Sequence, residues 1–157
     1  MRIEYFQLID RITALNLADK TIRTEAIVPK TSTIFEGHFP GYPLMPGVLL
    51  IESMAQTSGW LIIGLTNFER MPFLAALKDV KLRTFVSPGD ELALSARLEH
   101  DGSGFAVVEA EGRVKGKIVC NATITFRIVP FPNPQFRNFM QEFAARIAFP
   151  METVGHV

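Results

Sequence analysis

Residues 48–65 read VLLIESMAQTSGWLIIGL. As a helix, this segment of roughly 18 residues extends about 27 Å. It is apolar around most of its circumference, so something else in the chain must wrap it. The run approaches the length needed to cross a bilayer. However, Glu52, Ser53, Gln56, Thr57, Ser58 and Gly59 interrupt it. A helix buried inside a protein is the better reading. It starts at about Gly47 or Val48, just past Pro46.

The material available to wrap it reads as strands. Residues 3–8 form a short helix or strand. Residues 10–17 and 21–28 flank a turn at Ala18-Asp19-Lys20, and Ile22, Thr24, Ala26 and Val28 alternate with more polar neighbours. Residues 29–46 read as a loop. Residues 73–85 supply one or two strands, and Pro88-Gly89-Asp90 is a turn. Leu92, Leu94, Ala96 and Leu98 alternate with Ala93, Ser95, Arg97 and Glu99. Asp101-Gly102-Ser103-Gly104 is a hairpin turn. Residues 105–115 and 117–129 follow, joined at Gly116. One long helix and a curved antiparallel sheet make an α+β layout. At 157 residues, the chain is most simply one domain with enough length to bury a core.

After Val129 the chain reads PFPNP, a breaker, and then a helix over residues 135–149. Phe136, Phe139, Met140, Phe143 and Ile147 follow helical spacing, with Arg137, Gln141, Glu142 and Arg146 elsewhere on the wheel. We therefore divide the chain into residues 1–130 and a helical extension, 131–157, packed on the same domain. Residues after Pro150 read as frayed.

The loop before the long helix holds the chemistry. Pro40, Pro43 and Pro46 recur every three residues, among Gly37, Gly41 and Gly47. Proline fixes φ, and glycine permits turns that other residues resist. The expectation is a stiff, bent loop that holds His38 in one place. The first N–H groups of the helix have no intrahelical partner and point back into this loop. Glu52 sits among Val48, Leu49, Leu50, Ile51, Met54 and Ala55. Such surroundings penalise the ionised carboxylate and suit a general acid. Gln56, four residues on, shares a face with Glu52 and is placed to orient it. The plainer reading is a solvated polar face made of Glu52, Ser53 and Gln56.

Composition removes several alternatives. The chain carries 16 basic and 16 acidic residues, formal charge zero. That argues against coating nucleic acid or an anionic membrane. The first residues, with Glu4 and Asp10 and no continuous apolar run, are not a signal peptide. A single cysteine, Cys120, excludes an internal disulfide and fits a reducing, cytoplasmic setting. His38, His100 and His156 lie far apart and form no metal-ligand cluster. There is no nucleophile elbow, P-loop or dinucleotide fingerprint.

The segment His38-Phe39-Pro40-Gly41-Tyr42-Pro43-Leu44-Met45-Pro46-Gly47-Val48, followed by Ile51-Glu52-Ser53-Met54-Ala55-Gln56, resembles a known signature. It is similar to that of the β-hydroxyacyl-acyl-carrier-protein dehydratases, the FabZ type of the hotdog superfamily. Glutamate at position 52 favours that type over the FabA-type dehydratase-isomerases, which carry aspartate. The resemblance extends over residues 5–129 and includes Pro88-Gly89-Asp90. It implies the hotdog fold, in which the sheet wraps the helix. It also implies a 3-hydroxyacyl chain on acyl carrier protein as substrate, a homodimer or an assembly of dimers, and no metal or organic cofactor.

The roles follow from the same resemblance. His38 takes the α-proton, with its other ring nitrogen held by the Leu44 carbonyl. The N–H of Gly47 polarises the thioester carbonyl. Glu52 protonates the departing hydroxyl. In the family, the two residues of one site come from different subunits. Trp60, Ile63, Phe73 and Leu74 are candidates for lining an acyl channel. Lys81 and Arg83 match basic positions and are candidates for docking the acidic carrier. The sequence departs from the family in lacking the N-terminal Leu-Pro-His-Arg and in adding the C-terminal helix. That helix is either packing, on the sheet or at a subunit contact, or a cap on the acyl channel or a docking surface for a specialised carrier protein. Together the departures resemble a paralogue serving very-long-chain lipid A acyl groups. The remaining alternatives are a hotdog thioesterase and a non-catalytic carrier-binding protein.

Overall fold

Alternating side chains write most of the sheet. In the computed structural model, which describes residues 1–155, six antiparallel strands form one sheet in the order β1-β2-β4-β5-β6-β3. The strands are β1 (Arg11–Asn16), β2 (Thr21–Ile27), β3 (Arg70–Leu82), β4 (Glu91–Gly102), β5 (Phe105–Val114) and β6 (Lys117–Pro130). On β4, Leu92, Leu94, Ala96 and Leu98 are buried, as the alternation predicts. Lys115 and Gly116, both at positive φ, close the β5–β6 hairpin in the two-residue form that suits strand twist.

The apolar segment is α2, Gly47–Leu65, and it contacts β2 through β6. Leu50, Met54, Leu61, Ile62 and Ile63 are buried against Ile22, Leu94, Val108 and Ile124 of the sheet. By length and composition α2 would pass as a membrane span, but most of it is buried within the sheet. Its hydroxyl groups are satisfied along the helix itself. Ser53, Thr57 and Ser58 each donate to the carbonyl four residues back, at 2.9, 3.0 and 2.8 Å. Thr24 on β2 meets Thr57 at 2.8 Å, a buried polar pin between sheet and helix.

Residues 29–46 are not all loop. A short helix, α1 (Thr33–Gly37), interrupts them. Ser32 caps it by accepting from the Ile34 N–H, and buried Phe35 anchors it. β3 begins at Arg70, earlier than the apolar pattern indicated, because Met71 and Pro72 pair with Val129 and Ile128.

The C-terminal helix α3 spans Pro134–Arg146, capped by Asn133 on the Phe136 N–H at 2.7 Å. It ends before Phe149 because Ala148 turns into the left-handed region at φ 56°. The Phe149 N–H then donates to the Ala144 carbonyl, and the Phe149 ring returns to the core. Trp60 stacks on Phe143 at 5.8 Å. Residues 151–154 are ordered where fraying was expected: Met151–Thr153 form a 3-10 turn, and Val154 is buried. His156 lies outside the described residues.

Two predictions concern the core. A Cβ on Gly112 would sit 2.7 Å from the Cys120 sulfur and 3.3 Å from both Leu92 and Leu94. Gly112→Ala is therefore expected to lower stability by about 1–3 kcal/mol through overpacking, read as a lower urea midpoint. Burial pushes the Cys120 thiol up to about 11. Its protonated form is favoured in the folded state, so its contribution to stability is present below the unfolded value of 9.0 and is lost as pH rises through the folded one. Native protein should react with a thiol reagent far more slowly than urea-unfolded protein.

Candidate active site

His38 stands directly after α1, and its backbone is held on both sides. Its N–H donates to the Ile34 carbonyl, and its carbonyl accepts from Leu44 N–H, each at 2.9 Å. Between them Phe39 and Tyr42 exchange two backbone bonds, and Gly41 takes the positive φ of that turn. Met45 N–H donates to the Val86 carbonyl at 2.8 Å, fixing the loop to the segment after β3. The ring Nδ1 of His38 lies 2.9 Å from the Leu44 carbonyl oxygen. A carbonyl only accepts, so Nδ1 carries a hydrogen, and in the neutral ring Nε2 is the nitrogen with the lone pair.

His38 opens into a cavity of about 570 Å³ that Gly47, Leu50, Leu82, Arg83 and Phe85 also line. The start of α2 faces it. Pro46 is the N-cap residue, and no described side chain caps the helix. Leu49 and Leu50 are the first residues whose N–H groups return to Pro46. The Gly47 N–H is therefore free to donate at the positive end of the helix dipole. A Cβ at Gly47 would collide with the Leu82 side chain, so glycine keeps this approach open.

Glu52 is half-buried and lines a different cavity, of about 240 Å³. Trp60, Ile63, Phe73 and Leu74, the candidate channel residues, all line it too. Gln56 donates to Glu52 at 3.1 Å. It also donates to the Phe6 carbonyl at 2.7 Å and accepts from the Leu8 N–H at 3.0 Å. The amide thus holds the carboxylate and clamps the N-terminal segment onto α2.

Helix geometry explains the separation. Gly47 and Leu50, three apart, share the face toward His38. Glu52 is five residues beyond Gly47, about 140° further around the helix. Within one chain, the acid and the imidazole line separate cavities with no residue in common. Of the basic candidates, Arg83 lines the His38 cavity and donates to Asn121 at 2.9 Å. Lys81 is exposed on β3 and lines neither cavity. Sequence reasoning missed Thr84, Phe85 and Val86 beside His38, because nothing local marks where a strand's end will pass. It also missed the Gln56 clamp, whose partners are 48 and 50 residues away in the chain.

Comparison with known proteins identifies the family. The FabA-like domain family matches residues 2–123. The chain belongs to this family. A 3-hydroxyacyl-[acyl-carrier-protein] dehydratase FabZ of Lactococcus lactis subsp. cremoris is 40% identical over 124 residues, 78% of this chain and 85% of that protein. Its counterpart in Streptococcus mutans is 39% identical over 122 residues, covering 77% and 86%. Among solved structures, a hypothetical thioesterase with coenzyme A from Streptococcus pneumoniae aligns with a TM-score of 0.62 at 17% identity, covering 78% of this chain and 88% of that one. At that identity the likeness shows the hotdog fold alone.

Gln56→Ala removes a donor and an acceptor together and leaves the Leu8 N–H unpartnered. It is expected to cost about 1–3 kcal/mol of stability by urea titration and to speed amide exchange at Leu8.

Proposed function

We propose that this protein dehydrates 3-hydroxyacyl-acyl carrier protein to the trans-2-enoyl thioester, a step of fatty-acid chain assembly. The observation that carries the reading is the His38–Leu44 contact at 2.9 Å, which leaves Nε2 as a base beside the uncapped Gly47 N–H.

The chemistry follows from these groups. The α-proton is weakly acidic until the thioester carbonyl is polarised. The Gly47 N–H donates to that oxygen as charge develops on it. His38 Nε2 takes the α-proton, and the electron pair forms the Cα–Cβ double bond. The Cβ–O bond breaks as Glu52 gives its proton to the hydroxyl, which leaves as water. Imidazolium and carboxylate then return to their starting forms by proton exchange. Leu44 and Gln56 orient the two groups.

The separate cavities support a shared site, with His38 from one subunit and Glu52 from its partner. β3 is an edge strand 13 residues long. Phe73, Leu74, Leu77 and Leu82 on it are exposed, as are Val48 and Phe85 nearby. An open apolar edge of this kind invites pairing, and a second copy of the chain is the occupant we assign. Residues 1–130 form the dehydratase domain in this reading, and residues 131–157 are an extension packed on it. Arg83, which lines the His38 cavity, and Lys81 meet the acidic carrier in this reading. The carrier-linked substrate and the buried, unpaired Cys120 support a cytoplasmic setting. The finer reading, lipid A acyl-chain synthesis with a dedicated carrier, rests on the altered N-terminal segment and on α3.

His38→Ala and Glu52→Gln are each expected to lose about a hundredfold or more in dehydration rate while remaining folded. Mixing the two variants decides whether the site is shared. With random exchange, half the dimers are mixed and each holds one intact site, so roughly a quarter of wild-type activity should return. If the mixture stays as inactive as its components after exchange, the shared site is wrong. If both single variants keep wild-type rates, so is the acid–base assignment.

A further inference from the structure

We propose that Met140, on the C-terminal helix, closes the far end of the Glu52 cavity and sets the longest acyl chain the site accepts. The inference builds on the dehydratase reading, because that reading supplies the acyl substrate.

The cavity follows one face of α2. Glu52, Ala55, Gln56, Gly59, Trp60 and Ile63 line it at helical spacing, so it runs along the helix for about three turns. Its polar groups, Glu52 and Gln56, are at one end. Beyond them the α2 lining is apolar, and Gly59 contributes no side chain at all. A Cβ there would meet only Pro72, at an ordinary 3.6 Å, so the bare glycine leaves width rather than avoiding a clash. Such a slot fits an alkyl chain whose reacting carbons sit at Glu52.

What ends the slot comes from outside the family's common core. The FabA-like match stops at residue 123, and α3 lies beyond it. Met140 is the residue of α3 that lines the cavity. One turn further on, Phe143 stacks on Trp60, which is eight residues and about 12 Å along α2 from Glu52. Arg137 and Gln141, on either side of Met140 in α3, line a pocket with Asn67 and Phe68 just past the end of α2, so Met140 lies toward the Trp60 end. The helix is fixed there by buried Ala144, Ile147 and Phe149, and by the Ile12 N–H donating to the Ile147 carbonyl at 2.8 Å. The stop is therefore a half-buried, unbranched side chain held on a rigid support. Removing it should lengthen the slot, and enlarging it should shorten the slot.

The test uses Met140→Ala and Met140→Phe beside wild type, with a series of S-alkyl pantetheines from butyl to hexadecyl. Trp60 is the only tryptophan and lines the slot, so its emission reports binding without catalysis. Wild type should show a length beyond which affinity falls. Met140→Ala should move that limit by about two carbons or more to longer chains, with about a tenfold change in the long-to-short affinity ratio. Met140→Phe should move it the other way. Circular dichroism confirms folding, and Met140→Ala decides alone if the larger variant does not fold. An unchanged limit in the folded variants overturns the proposal, as does a wild type that binds no probe of any length. A limit that moves in a protein that dehydrates no chain upholds Met140 and overturns the dehydratase reading instead.

Discussion

Burial of α2 inside the sheet is the interaction on which everything else depends. A helix apolar on nearly all sides leaves the strands little choice but to curve around it. Its hydroxyls do not disturb that burial, because each closes on its own helix or, through Thr57, on Thr24 of the sheet. Once α2 is fixed, its start and its faces are fixed with it. Gly47 presents a free N–H donor at one end, and Glu52 emerges about 140° around the axis. The proposed catalytic arrangement is thus a consequence of where a single rigid rod begins and how it turns.

The same rod explains why Glu52 and His38 line separate cavities in one chain, as the proposed shared site requires. His38 reaches the Gly47 end because α1 and the Phe39–Tyr42 turn leave its backbone no freedom. Glu52 looks into an apolar slot on another face. Neither cavity contains both an acid and a base. A long open edge on β3 and exposed side chains near both cavities give a second copy somewhere to sit. Dimer formation and catalytic competence would then be one event rather than two.

Much of this was legible in the sequence, for definable reasons. The long helix showed because apolar residues dominate its whole length despite the polar interruptions, and β4 showed because Leu92, Leu94, Ala96 and Leu98 recur at every second position. The histidine loop showed because proline and glycine constrain the backbone wherever they occur. What escaped was non-local or weakly patterned. α1 is only five residues long, with one buried anchor, Phe35. The end of α3 depends on Ala148 adopting a left-handed conformation, which alanine's identity does not announce. Gln56 clamps Phe6 and Leu8 through contacts that no local spacing encodes.

The hotdog fold also carries thioesterases, so the identity of the product tests the central claim most directly. Wild-type protein would be incubated with a 3-hydroxyacyl-acyl carrier protein and the carrier analysed by intact mass. Dehydration predicts a carrier that has lost one water and kept its acyl thioester. Release of the free hydroxy acid, with the carrier thiol exposed, would contradict the account and assign hydrolysis to this site.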